Sequence, residues 1–234
     1  MEIIHDRNQL NYFIKKNKIN EHFSPEHWEF YRNAMMLVCF SKNECIFNSS
    51  KDTLFLYFFI DGKIKVMANL SNGKRQLLYI YTKGGIIGDL EMFDMGNPYT
   101  TVEVISKTYC VAMNLAITKE FLFKDSTFLL YMSKNLAYKL SRSSSNGALL
   151  MYYALENKLC SYINASATEL QDSKRIYTES LSETAELLGA SYRHLQRILK
   201  SLCEKNILEK QGKYYLIIDE KKLTDMAEDI YINN

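Results

Sequence analysis

Proline is nearly missing from this chain, with 2 among 234 residues, and glycine is sparse at 9. Collagen-like and low-complexity architectures need those residues in bulk and are excluded. Net charge is nearly missing too: 29 basic side chains face 27 acidic ones, a formal +2. With 47% apolar residues, so small a charge excludes a mainly disordered chain and a histone-like polycation. Long apolar runs are lacking; the stretch 54–60 has seven residues, too few to span a bilayer. No charged segment followed by an apolar one opens the chain, so no export signal is expected. The five cysteines (Cys39, Cys45, Cys110, Cys160, Cys203) are odd in number and form no C-x-x-C. They read as reduced, buried thiols of a cytoplasmic protein. The length suits one large domain or two smaller ones.

What is present changes character along the chain. At the N-terminus Leu10, Phe13 and Ile14 recur at helical spacing, and Ser24-Pro25-Glu26 has the form of a helix start. From about 36 to 115, short runs rich in Val, Ile, Tyr, Phe and Thr are punctuated by Asp61-Gly62, Asn72-Gly73, Gly84-Gly85, Gly88 and Gly96. Asp-Gly and Asn-Gly between apolar runs are hairpin signals, and Gly62, Gly73 and Gly88 are assigned turns. An antiparallel sandwich or barrel is expected there. After Thr118 the period becomes helical, with an apolar stripe through Phe121, Phe128, Leu129, Met132, Leu136 and Leu140. Lys124, Lys134, Lys139 and Arg142 are read as lying off it. Such a stripe needs cover, either from a second copy of the helix or from the β domain alone. The helix can reach about 151, with 143–147 a weak or bent section. A further helix over 155–165 and a polar stretch over 166–173 lead into the last region.

Residues 180–204 carry the most specific pattern. Ser180 and Glu183 have capping-box spacing before a short helix whose apolar side is Leu181, Thr184, Ala185 and Leu188. Gly189 stands where a left-handed residue would end that helix, and Ser191 can cap the next. In the second helix Leu195, Ile198, Leu199 and Leu202 face inward, leaving Tyr192, Arg193, Gln196, Arg197 and Lys200 on the other side. This is a helix-turn-helix, and its exposed side chains suit base edges: Arg reads guanine bidentately and Gln reads adenine. Residues 206–218 then give two short strands around K-Q-G-K, a wing whose Lys210 and Lys213 can touch phosphate. His194, on the same helix, is a phosphate contact or a solvated side chain.

Charge supports this once subdivided. Residues 152–234 hold 11 basic and 13 acidic side chains, net −2, whereas 191–213 hold six basic against Glu204 and Glu209, net +4. Basicity is local, so few phosphates are met per subunit and a dimer on two half-sites is favoured.

In this order the parts resemble the CRP/FNR family of bacterial transcription regulators. In the β region the resemblance rests on D-G-K-I-K-V at 61–66, N-G-K-R at 72–75 and I-I-G-D-L-E-M-F at 86–93. In the last region it rests on A-E-L-L-G-A-S-Y-R-H-L-Q-R-I-L at 185–199, and S-Y-R-H-L at 191–195 is similar to the YeiL-like branch. The resemblance implies an α+β fold. An N-terminal antiparallel β-roll, a jelly roll like cyclic-nucleotide-binding domains, precedes a long dimerisation helix and a C-terminal winged helix-turn-helix. The corresponding ranges are 1–124, 125–151 and 152–234. It also implies a homodimer on an inverted-repeat site in double-stranded DNA, RNA polymerase as a partner, and an unidentified small-molecule effector. The family's base-reading places fall on Tyr192, Arg193 and Arg197, with Gln196 adjacent; the candidate DNA-contacting set is Ser191, Tyr192, Arg193, His194, Gln196, Arg197, Lys200, Lys210 and Lys213.

Members of that family that bind cyclic nucleotide use a G-E-L segment followed by Arg-Ser to hold sugar and phosphate. Here the segment is Gly88-Asp89-Leu90, and Tyr99-Thr100 occupies the Arg-Ser place. Those five are the candidate effector contacts. Without the guanidinium a buried phosphate loses its bidentate partner, and a carboxylate beside it is repulsive. Cyclic AMP is therefore expected to bind poorly or not at all. Iron–sulfur members carry an N-terminal cysteine cluster, and no cysteine here precedes Cys39. The four histidines (His5, His22, His27, His194) all avoid 36–117, which removes a cupin-like metal site and the usual haem ligand from the β region. No catalytic pairing or phosphate-binding glycine loop is evident, so no enzyme, metal or cofactor is expected. The rival reading is a signal-binding or protein-interaction module whose helix-turn-helix does not touch DNA.

Overall fold

The computed structural model describes residues 1–47, 54–93, 100–170, 173–228 and 230–233. Its contacts divide the chain into two compact units. Met1–Ile64 and Tyr81–Ser143 form the first; Lys65–Ile80 and Ser144–Asn233 form the second.

The first unit opens with strand β1 (Glu2–Ile4) and helix α1 (Arg7–Lys16). Asp6 caps α1, accepting from the amides of Asn8 and Gln9, and Leu10 and Ile14 are its buried face. Pro25 begins a 3₁₀ turn that runs into α2 (Trp28–Asn33). Ser24, expected to cap that turn, instead donates its hydroxyl to Asp125 at 2.8 Å. Next come β2 (Met35–Phe40), β3 (Cys45–Phe47), β4 (Phe55–Asn69), β5 (Arg75–Tyr81), β6 (Ile86–Ile87), the short α3 (Asp89–Met92) and β7 (Thr100–Asn114). Within the first unit the strand order is β1-β2-β7-β4, with β3 also on β7 and β6 on β4. β2 and β7 run antiparallel over six pairs, from Met35↔Met113 to Phe40↔Thr108.

Asp61-Gly62 is no hairpin turn. It lies inside β4, where Gly62 has φ +112° and a Cβ would stand 2.4 Å from Thr108 Oγ1. The glycine is required by a close approach to β7, across the sheet, and that need leaves the same local signature as a turn. Asn72-Gly73 does form the expected hairpin turn, with the Leu70 amide on the Lys74 carbonyl at 2.8 Å.

Helix α4 (Leu115–Leu122) leads to α5 (Ser126–Tyr152), which is continuous through Gly147. Asp125 opens α5 by accepting from the amides of Thr127 and Phe128 at 3.0 and 3.1 Å. Burial pushes the Asp125 carboxyl up, but these bonds and those from Ser24 outweigh it and hold the group below its ordinary range. The stripe of α5 divides between two faces. Phe128 and Met132 join the core of the roll with Leu56, Phe58 and Ile86, while Leu130, Ala137 and Leu140 lie exposed on the opposite side.

The second unit joins the 65–80 hairpin to the C-terminal region. It holds α6 (Leu155–Ser166), β8 (Thr168–Glu169), β9 (Arg175–Tyr177), α7 (Leu181–Leu187), α8 (Tyr192–Glu204), β10 (Leu208–Gln211), β11 (Tyr214–Ile217), α9 (Glu220–Ala227) and β12 (Ile232–Asn233). A sheet of order β10-β11-β9-β8 backs the helices, and β12 adds to the edge of β5.

Candidate nucleic-acid interface and sensor site

The helix-turn-helix is built by caps. Ser180 Oγ accepts from the Glu183 amide at 3.4 Å, opening α7. The carboxylate of Glu183 does not return to complete the expected box. It takes Lys65 Nζ at 2.9 Å and Arg75 Nη2 at 3.4 Å instead. Lys65, only 1% exposed, also pairs with Glu179, and a buried ammonium requires such partners. At the end of α7, Gly189 has φ +64°, and its amide and that of Ala190 bond to the carbonyls of Glu186 and Ala185 at 3.0 and 2.8 Å. This is a Schellman turn, in which a left-handed residue lets both amides fold back on the helix. Ser191 then caps α8, accepting from the His194 amide at 3.2 Å.

These caps fix which side of α8 meets water. Leu195, Ile198, Leu199 and Leu202 are buried; Ser191, Tyr192, Arg193, His194, Gln196, Arg197 and Lys200 are exposed. Gln196 Nε2 donates to the Tyr192 hydroxyl at 3.1 Å, and Lys200 stands 3.7 Å from Glu204 in an exposed pair. Among the described residues, the side chains of Arg193 and Arg197 have no hydrogen-bond or ion-pair partner. Those of Lys210 and Lys213 have none either, and both residues are exposed on or beside the β10–β11 hairpin, whose turn holds Gly212. The apolar ladder beneath them, Leu208↔Ile217, is buried. The expected wing is therefore present, with its cations on the outside.

The candidate sensor residues are arranged quite differently. Gly88 is buried at φ +91° and starts α3. Asp89 is buried, and its two carboxylate oxygens accept from Lys139 Nζ at 2.8 and 2.7 Å. That ammonium also donates to the Ile86 carbonyl at 2.8 Å. Leu90 is largely exposed, and Thr100, first residue of β7, is half-buried. Tyr99 lies outside the described residues. Lys139 was read as off the apolar stripe; it sits on the buried one. Phe128, Met132 and Lys139 are spaced i, i+4 and i+11, which is nearly one direction on a helix. That spacing is the available signal, although a lysine ordinarily lies in solvent.

Around this pair the surroundings are aromatic. His22 stacks on Tyr131 of α5 with ring centroids 3.6 Å apart and planes 6° from parallel. Burial raises the Tyr131 hydroxyl to about 12, against a bond from Asn135, and burial also raises Glu91. Removing one member of a buried ion pair leaves the other uncompensated, at a cost of about 3–5 kcal/mol.

Comparison with known proteins points to the same family. The family of the cyclic nucleotide-binding domain matches residues 37–125. The regulatory protein YeiL of Escherichia coli O157:H7 is 27% identical over 80% of this chain and 84% of its own. The chain is thus similar to transcription regulators of the CRP/FNR family. A CRP-like cAMP-activated global transcriptional regulator of Mycobacterium tuberculosis (strain H37Rv) is 24% identical over 81% of this chain and 87% of its own. Among solved structures, a CRP/FNR-family regulator from Eubacterium rectale superposes with TM-score 0.74 at 15% identity, covering 93% of this chain and 99% of that one. The fold is thus the CRP-like one, a cyclic-nucleotide-binding-type β domain followed by helices and a small C-terminal sheet. These relatives are regulators, not enzymes.

Proposed function

We propose that this regulator binds an inverted-repeat site in double-stranded DNA as a homodimer, through α8 and the β10–β11 wing, and does so without cyclic AMP. The observation that carries the reading is the outer side of α8. Two arginines and a glutamine stand exposed on a helix fixed by a serine cap and a Schellman turn, and neither arginine side chain has a partner among the described residues. Arg193 and Arg197 supply guanidinium forks for guanine and Gln196 an amide for adenine, while Lys210 and Lys213 meet phosphate. His194 and Lys200 add to the backbone contacts, and Ser191 holds the helix start. Homodimerisation is supported by the outward face of α5, where Leu130, Ala137 and Leu140 present apolar surface at coiled-coil spacing. Independence from cyclic AMP is supported by the missing guanidinium at 99–100 and by the Lys139 pairing of Asp89. A regulator so built acts on promoters with RNA polymerase as its partner, in the cytoplasm.

Selection from a random duplex pool tests the reading. An enriched inverted repeat is expected; its absence, with or without cell extract, would refute DNA reading by α8. Calorimetry on cyclic AMP is expected to give no heat, and micromolar binding would overturn that part.

A further inference from the structure

We propose that Lys139 is the sensor site's own occupant, taking the Asp89 carboxylate in place of a diffusible ligand and so holding the roll in its DNA-binding conformation with nothing bound. The inference rests on the DNA-binding reading above and names how that activity is set. A lysine ammonium has three donors, and here all three are used: two on the Asp89 carboxylate and one on the Ile86 carbonyl. Both charges are withdrawn from water, with side-chain exposures of 15% and 4%. The contact ties the middle of α5 to the turn at 86–89, fifty positions away in sequence. Two turns back along α5, the His22 imidazole lies flat on Tyr131.

This arrangement sets the chemistry of any competitor. A molecule that opened the pair would have to satisfy both ions at once, since either left alone in a buried site is penalised. An anion such as a cyclic nucleotide offers Asp89 a neutral hydroxyl donor but no positive charge to replace the ammonium. A zwitterion, presenting an ammonium to Asp89 and an anion to Lys139, is complementary to both ions.

The experiment uses the full chain, a selected operator duplex and Lys139→Ala, with n-butylammonium as the probe that refills the missing side chain. Operator affinity is read by anisotropy, and hydrogen exchange reads the protection of α5 amides over 126–143. The wild type is expected to bind with no ligand. Lys139→Ala is expected to lose tenfold or more in affinity together with α5 protection. Millimolar n-butylammonium should restore both, while tetramethylammonium at equal concentration should not. Unchanged affinity and protection in Lys139→Ala would overturn the proposal, as would equal rescue by both cations. If Lys139→Ala does not fold, Asp89→Asn/Lys139→Met removes both charges together; loss of α5 protection in it supports the tether and wild-type protection refutes it. If the wild type selects no operator, the DNA-binding reading fails by itself. The tether is then decided by exchange alone: amine-restorable protection upholds it and indifference to Lys139→Ala refutes it.

Discussion

The outer face of α8 and the site around Asp89 use charged side chains in opposite ways. On α8 the guanidinium groups of Arg193 and Arg197 stand in water on a frame of buried apolar side chains, and no ion pair among the described residues neutralises them. At Asp89 the carboxylate is buried and takes both of its close contacts from a lysine of the same unit. A surface held rigid and left unpaired is complementary to something outside the molecule. A buried pair with every donor used requires nothing from outside. On the proposed function, the side that would read DNA is open and the site around Asp89 is satisfied by itself.

Several substitutions would break or sharpen that contrast, and the largest effect concerns the face that brings two reading helices together. Leu130→Glu with Leu140→Glu places charge on the exposed apolar side of α5, away from the buried Phe128 and Met132. Sedimentation should show a monomer, and operator affinity should fall about a hundredfold or more as two-site binding is lost. A dimer of unchanged affinity would put the interface elsewhere. Next, Gly62→Val disturbs the roll alone. Its Cβ would meet Thr108 Oγ1 at 2.4 Å and the Lys107 carbonyl at 2.6 Å, at a φ of +112°. About 3 kcal/mol of stability should be lost in thermal unfolding. A wild-type melt would mean that β4 and β7 are not in close approach.

Arg197→Ala tests the open side directly. It should cost about 1–3 kcal/mol at one base pair per half-site and relax specificity there. Uniform weakening over all sequences would make Arg197 a phosphate contact instead. Ser191→Ala removes the acceptor for the His194 amide and should destabilise by about 1 kcal/mol, seen as a lower denaturation midpoint.

The smallest effect is a pH dependence on the closed side. Burial holds the His22 imidazole below its ordinary 6.5, with Glu21 pulling the other way. The folded state then binds fewer protons than the unfolded one, so this contribution is full above pH 6.5 and declines as pH falls below it. His22→Phe should flatten the melting temperature between pH 7 and pH 5; an unchanged slope would clear His22 of the effect.

How much of this was legible follows from how local each signal is. The helix-turn-helix announces itself within 25 positions, because Ser180, Gly189 and Ser191 act on backbone groups next to themselves and the leucines repeat on one face. The wing is legible for the same reason, in Gly212 between two apolar runs. Gly62 misleads because a glycine demanded by a neighbouring strand looks the same as one demanded by a turn, and only the pairing with β7 distinguishes them. Glu183 misleads because its carboxylate has better partners in Lys65 and Arg75 than the amide beside it. Lys139 is the most instructive. Its partner is fifty residues away, so the pairing itself left no trace, although its place on the Phe128–Met132 face was visible.

Titration of the selected operator with the purified full chain, first with no small molecule and then with millimolar cyclic AMP, tests the contrast most directly. Saturable binding to a two-fold site with half-sites about 34 Å apart, at the same affinity in both titrations, is the predicted result. Binding that appears only when the nucleotide is added would contradict it, because the site around Asp89 would then be open and waiting for a ligand.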